Sequence, residues 1–592
     1  MRSLQFYLRN QGARVQMATY SAAAQLVYME REEYIDGIYG SPSCLLFGTD
    51  KIITGFDWNK NTFIWLAMNT CLTKLGLSRD QFTDVCLLSG CSILPILPDL
   101  DTDAATPRVV AARALLSRVA YEVSNLFPSQ KDEYYDLWMK ARCILKHPIL
   151  MTHDGKVEPL DWENAPGDSH YFNGQKLPEE LYSYLAFGFL SPRVSDWRTR
   201  TEIVETQPLD GGDAEPYRRL VQEKLLPLRA QAVALMTPLL HRYYQKQDVS
   251  VTCWWNENSK TSLNITDAVE SLKATDGWNV ISESLPISDH NTSTSLSYAI
   301  LSLADAAVAK ATLTPREAGS SAYLKGIRTQ RANIVWRFLE ERDYINADHT
   351  LSGWGRTLKA AFTQAHQSSL MKMGVNDTEI EEAIFMTFEL LRLEVLNNKA
   401  STFVPAYSGG ALRGSEADKS HTLFISRLVC VGAVHHKTLG YTGPLSRQLL
   451  AYHQMVAAVR GALRDLVEMQ GCNMFLSGCA DRDLTKAQYC ELGATMPLTH
   501  EPDLGLALLV KNHLDEQCRP AEERSYLEKW FQQVIDVPGN LSKAWGLWDA
   551  VSTIVPGLLS RRNGRLTGCI GMCRSGSSGR QHDQCRYEEN VQ

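Results

Sequence analysis

The chain has 592 residues, 44% of them hydrophobic and 21% charged, and a net charge of −7. At about 100 to 200 residues per domain, this length implies three to five domains with ample apolar material for real cores. The acidic balance excludes a protein that holds nucleic acid through a global positive field, so any RNA contact has to be local or indirect. No apolar run reaches the roughly 18 to 20 residues of a membrane span, and the first residues lack a signal-type hydrophobic segment, which predicts a cytoplasmic chain. The 14 cysteines are scattered, and Cys71, Cys86, Cys143 and Cys430 lie within apolar helical stretches, as reduced core thiols do.

Residues 14–18 read as a short strand and 19–30 as a helix entered through a Ser/Thr cap. A second strand is expected at 34–39, then a turn at Ser41-Pro42-Ser43 into an apolar run, then a third strand at 51–56. This is βαβ-like alternation. It closes on a helix with Ser78 as N-cap and Phe82, Val85, Cys86 and Leu88 on its buried side. Residues 93–107 form a connection rich in Pro and Asp, followed by helices at 108–127 and 130–145. Turns at Asp154-Gly155 and Asn173-Gly174 then separate short apolar segments around a helix at 177–189.

A loop at Gly211-Gly212-Asp213 precedes the longest helical signal, 215–244, interrupted at Pro227 and Pro238. His241-Arg242-Tyr243-Tyr244 is compatible with nucleic-acid stacking, but its spacing fits better an amphipathic helix end with aromatic core contacts. A strand is expected at 248–255, and a polar loop at 283–296 leads into a helix at 296–311. A helix at 331–342, two short strands at 344–352 and a helix at 354–362 come in an order that resembles a winged helix, a fold used to read DNA or to dock protein. Glu340, Glu341, Asp343 and Asp348 interleave there with Arg337, Arg342, Arg356 and Lys359, which reads as a mixed solvated face better suited to protein than to phosphate.

An acidic amphipathic helix is expected at 376–398, and Gly409-Gly410 marks a break. Helices follow at 421–433, 444–468, 484–491, 503–516, 520–535 and 540–554. His435-His436 has no carboxylate or cysteine at ligand spacing and reads as a surface or capping pair. Cys569, Cys573, His582 and Cys585 are ligand types without a paired-cysteine spacing, inside a Gly, Ser and Arg rich tail that reads as disordered.

Gln81-Phe82, Asp84, Cys86 and Gly90 fall as in the helix-to-glycine motif of the XPG and flap endonuclease superfamily. The first block resembles the internal domain of that superfamily, a PIN-like α/β fold. The resemblance implies carboxylates on the first helix, after the second strand and just after the glycine, because paired divalent ions need several anionic oxygens to position a phosphate. The corresponding residues here are Ser21, Ala23, Ser41, Ser43 and Ser92, none of them acidic. A hydroxyl is a neutral, weak ligand that cannot offset two dications, so the resemblance implies a pseudo-nuclease without metal or cofactor. Of the acids present, Asp36 lies within a strand and away from its C-terminal end, Asp84 is expected to face away from Val85 and Cys86, and Asp50 completes no set. Residues 93–107 also lack the glycine-rich turn with which the superfamily approaches duplex phosphate. Only residues 1–13 precede the block, where that architecture has a leading strand, so a truncated start with an open sheet edge is expected.

The emptied metal site and the long helical half together resemble the fungal maintenance-of-killer-toxin family of post-transcriptional regulators. The resemblance is carried further by His147-Pro148, Asp154-Gly155, the run Leu177-Pro-Glu-Glu-Leu-Tyr-Ser-Tyr-Leu-Ala-Phe-Gly and the helix from Tyr217. It implies five segments: a PIN-like pseudo-nuclease at 1–145, a family-specific regulator domain at 146–312, the winged-helix-like module with the acidic helix at 313–408, a mainly α regulator domain at 409–558 and the tail at 559–592. The implied function is a non-catalytic scaffold that regulates messenger RNA with an ataxin-type, poly(A)-binding-protein-associated partner, its contact with messenger being indirect. A residual metal-dependent flap-type nuclease and a direct RNA-binding protein are the alternatives.

Overall fold

The computed structural model describes residues 2–100, 106–127, 133–166, 177–207, 215–272, 296–312, 324–367, 377–397, 412, 414–431, 441–444, 446–499, 501–502, 504–518, 529–531 and 536–552. The features expected at Asn173-Gly174, 211–213, 283–295, Gly409-Gly410, His435-His436, most of 520–535 and the tail from 559 lie outside them. Two compact units divide the chain, one formed by Gln11–Gly188 and the other by Met1–Asn10 with Phe189–Gln592. The first helix, α1 (Arg2–Asn10), therefore belongs to the later unit.

In the unit from 11 to 188, the strand expected at 14–18 is not formed. Those residues are irregular, and Met17 N–H donates to the Ala186 carbonyl at 3.2 Å, a helix end taking the place of a partner strand. Helix α2 (Ala22–Arg31) starts where Ser21 Oγ accepts from the Ala24 amide, and it buries Ala24, Gln25, Val27 and Tyr28 at helical spacing. The strand expected at 34–39 shrinks to one parallel bridge, Tyr39 to Ile53, because Glu33 turns the chain through a left-handed φ of 59° just before it. Ser41 then caps a 3-10 turn, Pro42–Phe47, that buries Cys44, Leu45 and Phe47.

Strand β1 (Lys51–Asp57) pairs antiparallel with β2 (Thr62–Ala67), which the sequence reading overlooked. The turn signal was Asp57, whose Oδ1 accepts from the Asn59 and Lys60 amides at 3.1 and 3.3 Å. The other strand pair of this unit, β3 (Ile149–Met151) with β4 (Val157–Pro159), is also an antiparallel hairpin. Among the described residues, the βαβ alternation thus does not extend into a continuous parallel sheet. Helix α3 (Met68–Leu75) leads to α4 (Arg79–Leu88), where the expected cap is a full capping box: Ser78 Oγ accepts from Gln81 N at 3.2 Å and Gln81 Oε1 from Ser78 N at 2.9 Å. Gly90 follows with φ of 87°, and a Cβ there would stand 3.1 Å from the Ile96 amide nitrogen. Helix α5 (Arg108–Arg118) ends earlier than expected because Ala120 and Tyr121 take positive φ; α6 (Glu133–Lys146) and α7 (Glu179–Ala186) complete the set. Val27, Phe47, Ile52, Leu87 and Leu150 anchor one apolar cluster, and Leu88, Ala112 and Leu116 anchor a second between α4 and α5.

In the other unit, α8 (Arg193–Arg200) leads into a sheet of which only the middle strand was expected. The run 215–244 is α9 (Glu215–Leu220), a π turn at Val221–Leu225, α10 (Leu226–Met236), a 3-10 turn and α11 (Arg242–Gln245). The wider π turn absorbs the missing amide of Pro227 and the clash of its ring with the carbonyl four residues back, so the helix continues through it. His241 caps α11 and Tyr244 is core, in line with the amphipathic reading. The sheet is β5 (Glu202–Glu205), parallel to β6 (Ser250–Cys253), with β7 (Asn256–Ser262) antiparallel to β6. After α12 (Ile265–Ser271), the helix expected at 296–311 splits into α13 (Leu296–Ser302) and α14 (Ala306–Thr312), Asp305 accepting from the Ala307 amide at 2.8 Å.

The remaining helices are α15 (Ile327–Glu341), α16 (Gly353–Gln367), α17 (Asp377–Arg392), α18 (Glu416–Val429), α19 (Arg447–Leu476), α20 (Lys486–Ala494), α21 (Gly505–Gln517) and α22 (Val537–Ser552). Helix α19 is central: it buries side chains around its whole circumference, against α10, α15, α17 and α18. Helix α1 packs on α20, where Arg9 Nη1 donates to the Lys486 carbonyl at 3.4 Å. The expected solvated face holds only in part: Asp343, Asp348 and Arg356 are exposed, but Arg337, Glu340 and Glu341 are buried on α15, which packs against α13, α19 and α20. Glu381, Glu382 and Glu389 of the acidic helix α17 are likewise buried.

Between α15 and α16, the two expected strands reduce to one bridge, Ile345 to Leu351. Gly355 lies so close to the Tyr344 carbonyl oxygen that a Cβ would overlap it. Gly355→Ala should therefore cost about 2 kcal/mol or more, the upper part of the overpacking range, despite alanine's better helix propensity. Urea denaturation followed by circular dichroism measures this, and an unchanged midpoint would show that the turn shifts freely.

Candidate functional site

The residues singled out from the XPG resemblance sit on α2, on the 3-10 turn packed against it and after α4. Ser21 is the cap of α2, and Ala23 brings no donor atom. Ser41 Oγ accepts from the Ser43 amide at 3.3 Å and from Ser43 Oγ at 3.0 Å, and Ser92 is exposed. The hydroxyls of Ser21 and Ser41 thus already hold backbone amides at the starts of their own turns. A neutral donor set engaged in capping does not fit a pair of divalent ions, which requires several anionic oxygens.

Two acids of the block, Asp84 and Asp50, are engaged in ion pairs. Asp84 does not face away from the interior as expected: it is 8% exposed, accepts from Trp138 Nε1 at 3.2 Å and pairs with Arg142 at 3.5 Å, both from α6. Burial pushes its carboxyl up to about 6, against the pull of Arg142 and Trp138. Asp50 pairs with Arg79 at 3.0 Å, and that guanidinium also donates to the Gly48 and Thr49 carbonyls. Asp36 is exposed on the bend before Tyr39. Among the described residues, no three His, Cys, Asp or Glu side chains come together as a cation site.

The sequence reading missed two buried ionic clusters in the helical unit. Asp465 of α19 lies 3.4 Å from Arg193 Nε, and burial pushes its carboxyl up to about 7 while Arg193 pulls it down and Glu468 pushes it further. Glu468 accepts from the Ser191 amide at 2.9 Å and from Arg464 at 3.0 Å; Arg229 pairs with Glu205 and lies 5.6 Å over the Trp197 ring. The second cluster joins Glu389 of α17 to Arg342 at 2.6 Å and Arg392 at 3.1 Å. Acids spaced to point inward from helices with little polar face were the available signal. Both clusters tie together elements of the helical unit.

The model of the XPG I-region matches residues 12–92, and flap endonuclease 1 of Aspergillus fumigatus is 26% identical over 31% of this chain and 42% of its own length. The first block is therefore of the PIN-like XPG class. Models described as "temperature dependent protein affecting M2 dsRNA replication" match residues 166–255 and 337–563, and the chain belongs to the MKT1 family. Post-transcriptional regulator MKT1 of Cryptococcus neoformans is 26% identical, over 94% of this chain and 77% of its own. Post-transcriptional regulator mkt1 of Schizosaccharomyces pombe is 24% identical, over 81% of this chain and 66% of its own.

Proposed function

We propose that the chain is a non-catalytic, cytoplasmic post-transcriptional regulator of messenger RNA, in which a PIN-like block without a metal shell and a larger helical unit serve as a scaffold. The observation that carries this reading is the use of Ser21 and Ser41 as caps, together with the engagement of Asp50 and Asp84 in ion pairs. The names of the fungal relatives support the regulatory part. The partner is an ataxin-type protein associated with poly(A)-binding protein, bound by the helical unit, with messenger contacted indirectly. In this scheme the α15–α16 region is a winged-helix-like docking module. The engagement of its Arg342 and of Arg392 with Glu389 supports docking over phosphate reading, since it takes two guanidinium groups out of reach of a phosphate.

Helix α19 is the core of its unit, so removing everything after 409 would dismantle 189–397 as well. The test therefore uses the whole chain. Tagged protein recovered from a fungal host should carry an ataxin-type protein and poly(A) messenger, and with magnesium or manganese it should leave flap, bubble and single-stranded substrates intact. Metal-dependent cleavage that disappears in Asp50→Asn would establish the nuclease alternative instead.

A further inference from the structure

The hairpin β1–β2 presents an open edge. The outer edge of β1 is closed, because Ile53 N donates to the Ile38 carbonyl at 2.9 Å and Gly40 N to the Ile53 carbonyl at 3.0 Å. Strand β2 pairs with β1 alone among the described residues. Its consecutive Phe63, Ile64 and Trp65 are 54%, 64% and 50% exposed, so apolar surface lies on both faces of the strand. One face continues into a ring cluster in which Phe56 lies 4.9 Å from Tyr39, 5.3 Å from Trp58 and 6.5 Å from Phe63.

Open edges in soluble proteins are ordinarily blunted by lysine, proline or a bulge on the edge strand. Thr62-Phe63-Ile64-Trp65-Leu66-Ala67 has no charge and no proline, and the irregularity of this hairpin lies in β1, between Ile53 and Gly55. The charges around it neutralise one another, Asp50 with Arg79 and Asp57 with Lys60, while Lys51 sits 5.8 Å over the Trp65 ring. Such a surface offers little to a phosphate backbone.

From this we propose that β2 is an interface with a second copy of this chain, the two β2 strands pairing antiparallel about a two-fold axis into a four-stranded sheet. An uncharged strand is complementary to itself. An axis through Ile64 sets the two Ile64 side chains opposite each other on one face and Phe63 opposite the partner's Trp65 on the other, aliphatic and aromatic pairs with no like charges facing. The inference is independent of the regulatory reading.

Sedimentation velocity on the full chain should show a dimer. Phe63→Lys and Trp65→Glu should each raise the dimer dissociation constant roughly 100-fold or more, since each buries unpaired charge between the strands. Because the pairing sets residue 63 opposite residue 65, an equimolar mixture of the two variants should regain a heterodimer, and both variants should keep the parent circular dichroism and melting curve. A monomeric parent at tens of micromolar, self-association that survives both substitutions, or a mixture that stays monomeric would each overturn the proposal. So would a monomer whose Phe63→Lys variant loses binding to a fluorescent single-stranded RNA, which would make the patch a base-stacking platform.

Discussion

Glu389→Ala should lower the unfolding free energy of the helical unit by about 3–5 kcal/mol, the scale for stripping one partner from a buried ion cluster. The Glu389 side chain has no exposure, and it holds Arg342 and Arg392 at 2.6 and 3.1 Å. The Arg392 guanidinium also donates to the Arg342 carbonyl at 2.5 Å and lies 5.0 and 5.3 Å over the rings of Tyr344 and Trp354. One carboxylate thus joins the end of α15, the turn after it and the start of α16 to the last turn of α17. Its removal leaves two guanidinium groups with side chains only 11% and 13% exposed, Arg392 keeping the more exposed Asp343 at 3.5 Å. Glu389→Gln, which keeps shape and acceptor, should cost less. Equilibrium urea unfolding by tryptophan fluorescence ranks the three proteins, and equal midpoints would mean that water reaches the cluster.

Asp465→Asn should reshape the pH dependence of stability. Burial holds the Asp465 carboxyl at about 7, above its ordinary 3.8, so the folded state binds this proton more tightly than the unfolded chain does. The stability it contributes is fully present below the ordinary carboxyl value and is lost as pH rises through about 7. Across that window the parent should lose up to about 1.4 kcal/mol per pH unit through this group, while the asparagine variant does not titrate. The groups facing it are Arg193, Glu468, Arg229 and Arg464. The variant should match the parent near pH 4 and exceed it by a few kcal/mol at pH 8. Denaturation at both pH values measures the difference, and a pH-independent offset would show that Asp465 stays ionised beside Arg193.

Helices that announce themselves by a cap and a period were legible in the sequence. Ser78 and Gln81 place the start of α4, and the α19 pattern needed only extension to Leu476. The hairpin was harder, because Thr62–Ala67 is continuously apolar after Thr62 and does not alternate, so only the Asx turn at Asp57 betrayed it. The absence of acids at Ser21, Ala23, Ser41, Ser43 and Ser92 could be read directly. Where the remaining acids go could not, because their partners are remote: Trp138 is 54 positions from Asp84 and Arg342 is 47 from Glu389. Charges that look solvated in a local window become core when such partners arrive. That explains the misreading of Arg337, Glu340 and the acidic helix α17.

The contact of α1 with α20 sets a timetable for the nascent chain. Arg9 and the Lys486 carbonyl it reaches are 477 positions apart. At roughly 5–20 residues per second, a ribosome needs about half a minute to a minute and a half to make the second after the first. A helix as short as α1 is marginal without its docking surface, so through that interval it has nothing to hold it. Residues 11–188 can meanwhile close on one another as they emerge, before the strand of synthesis reaches α19. Helix α1 is thus among the last elements of its unit to be fastened, waiting until synthesis has passed Lys486.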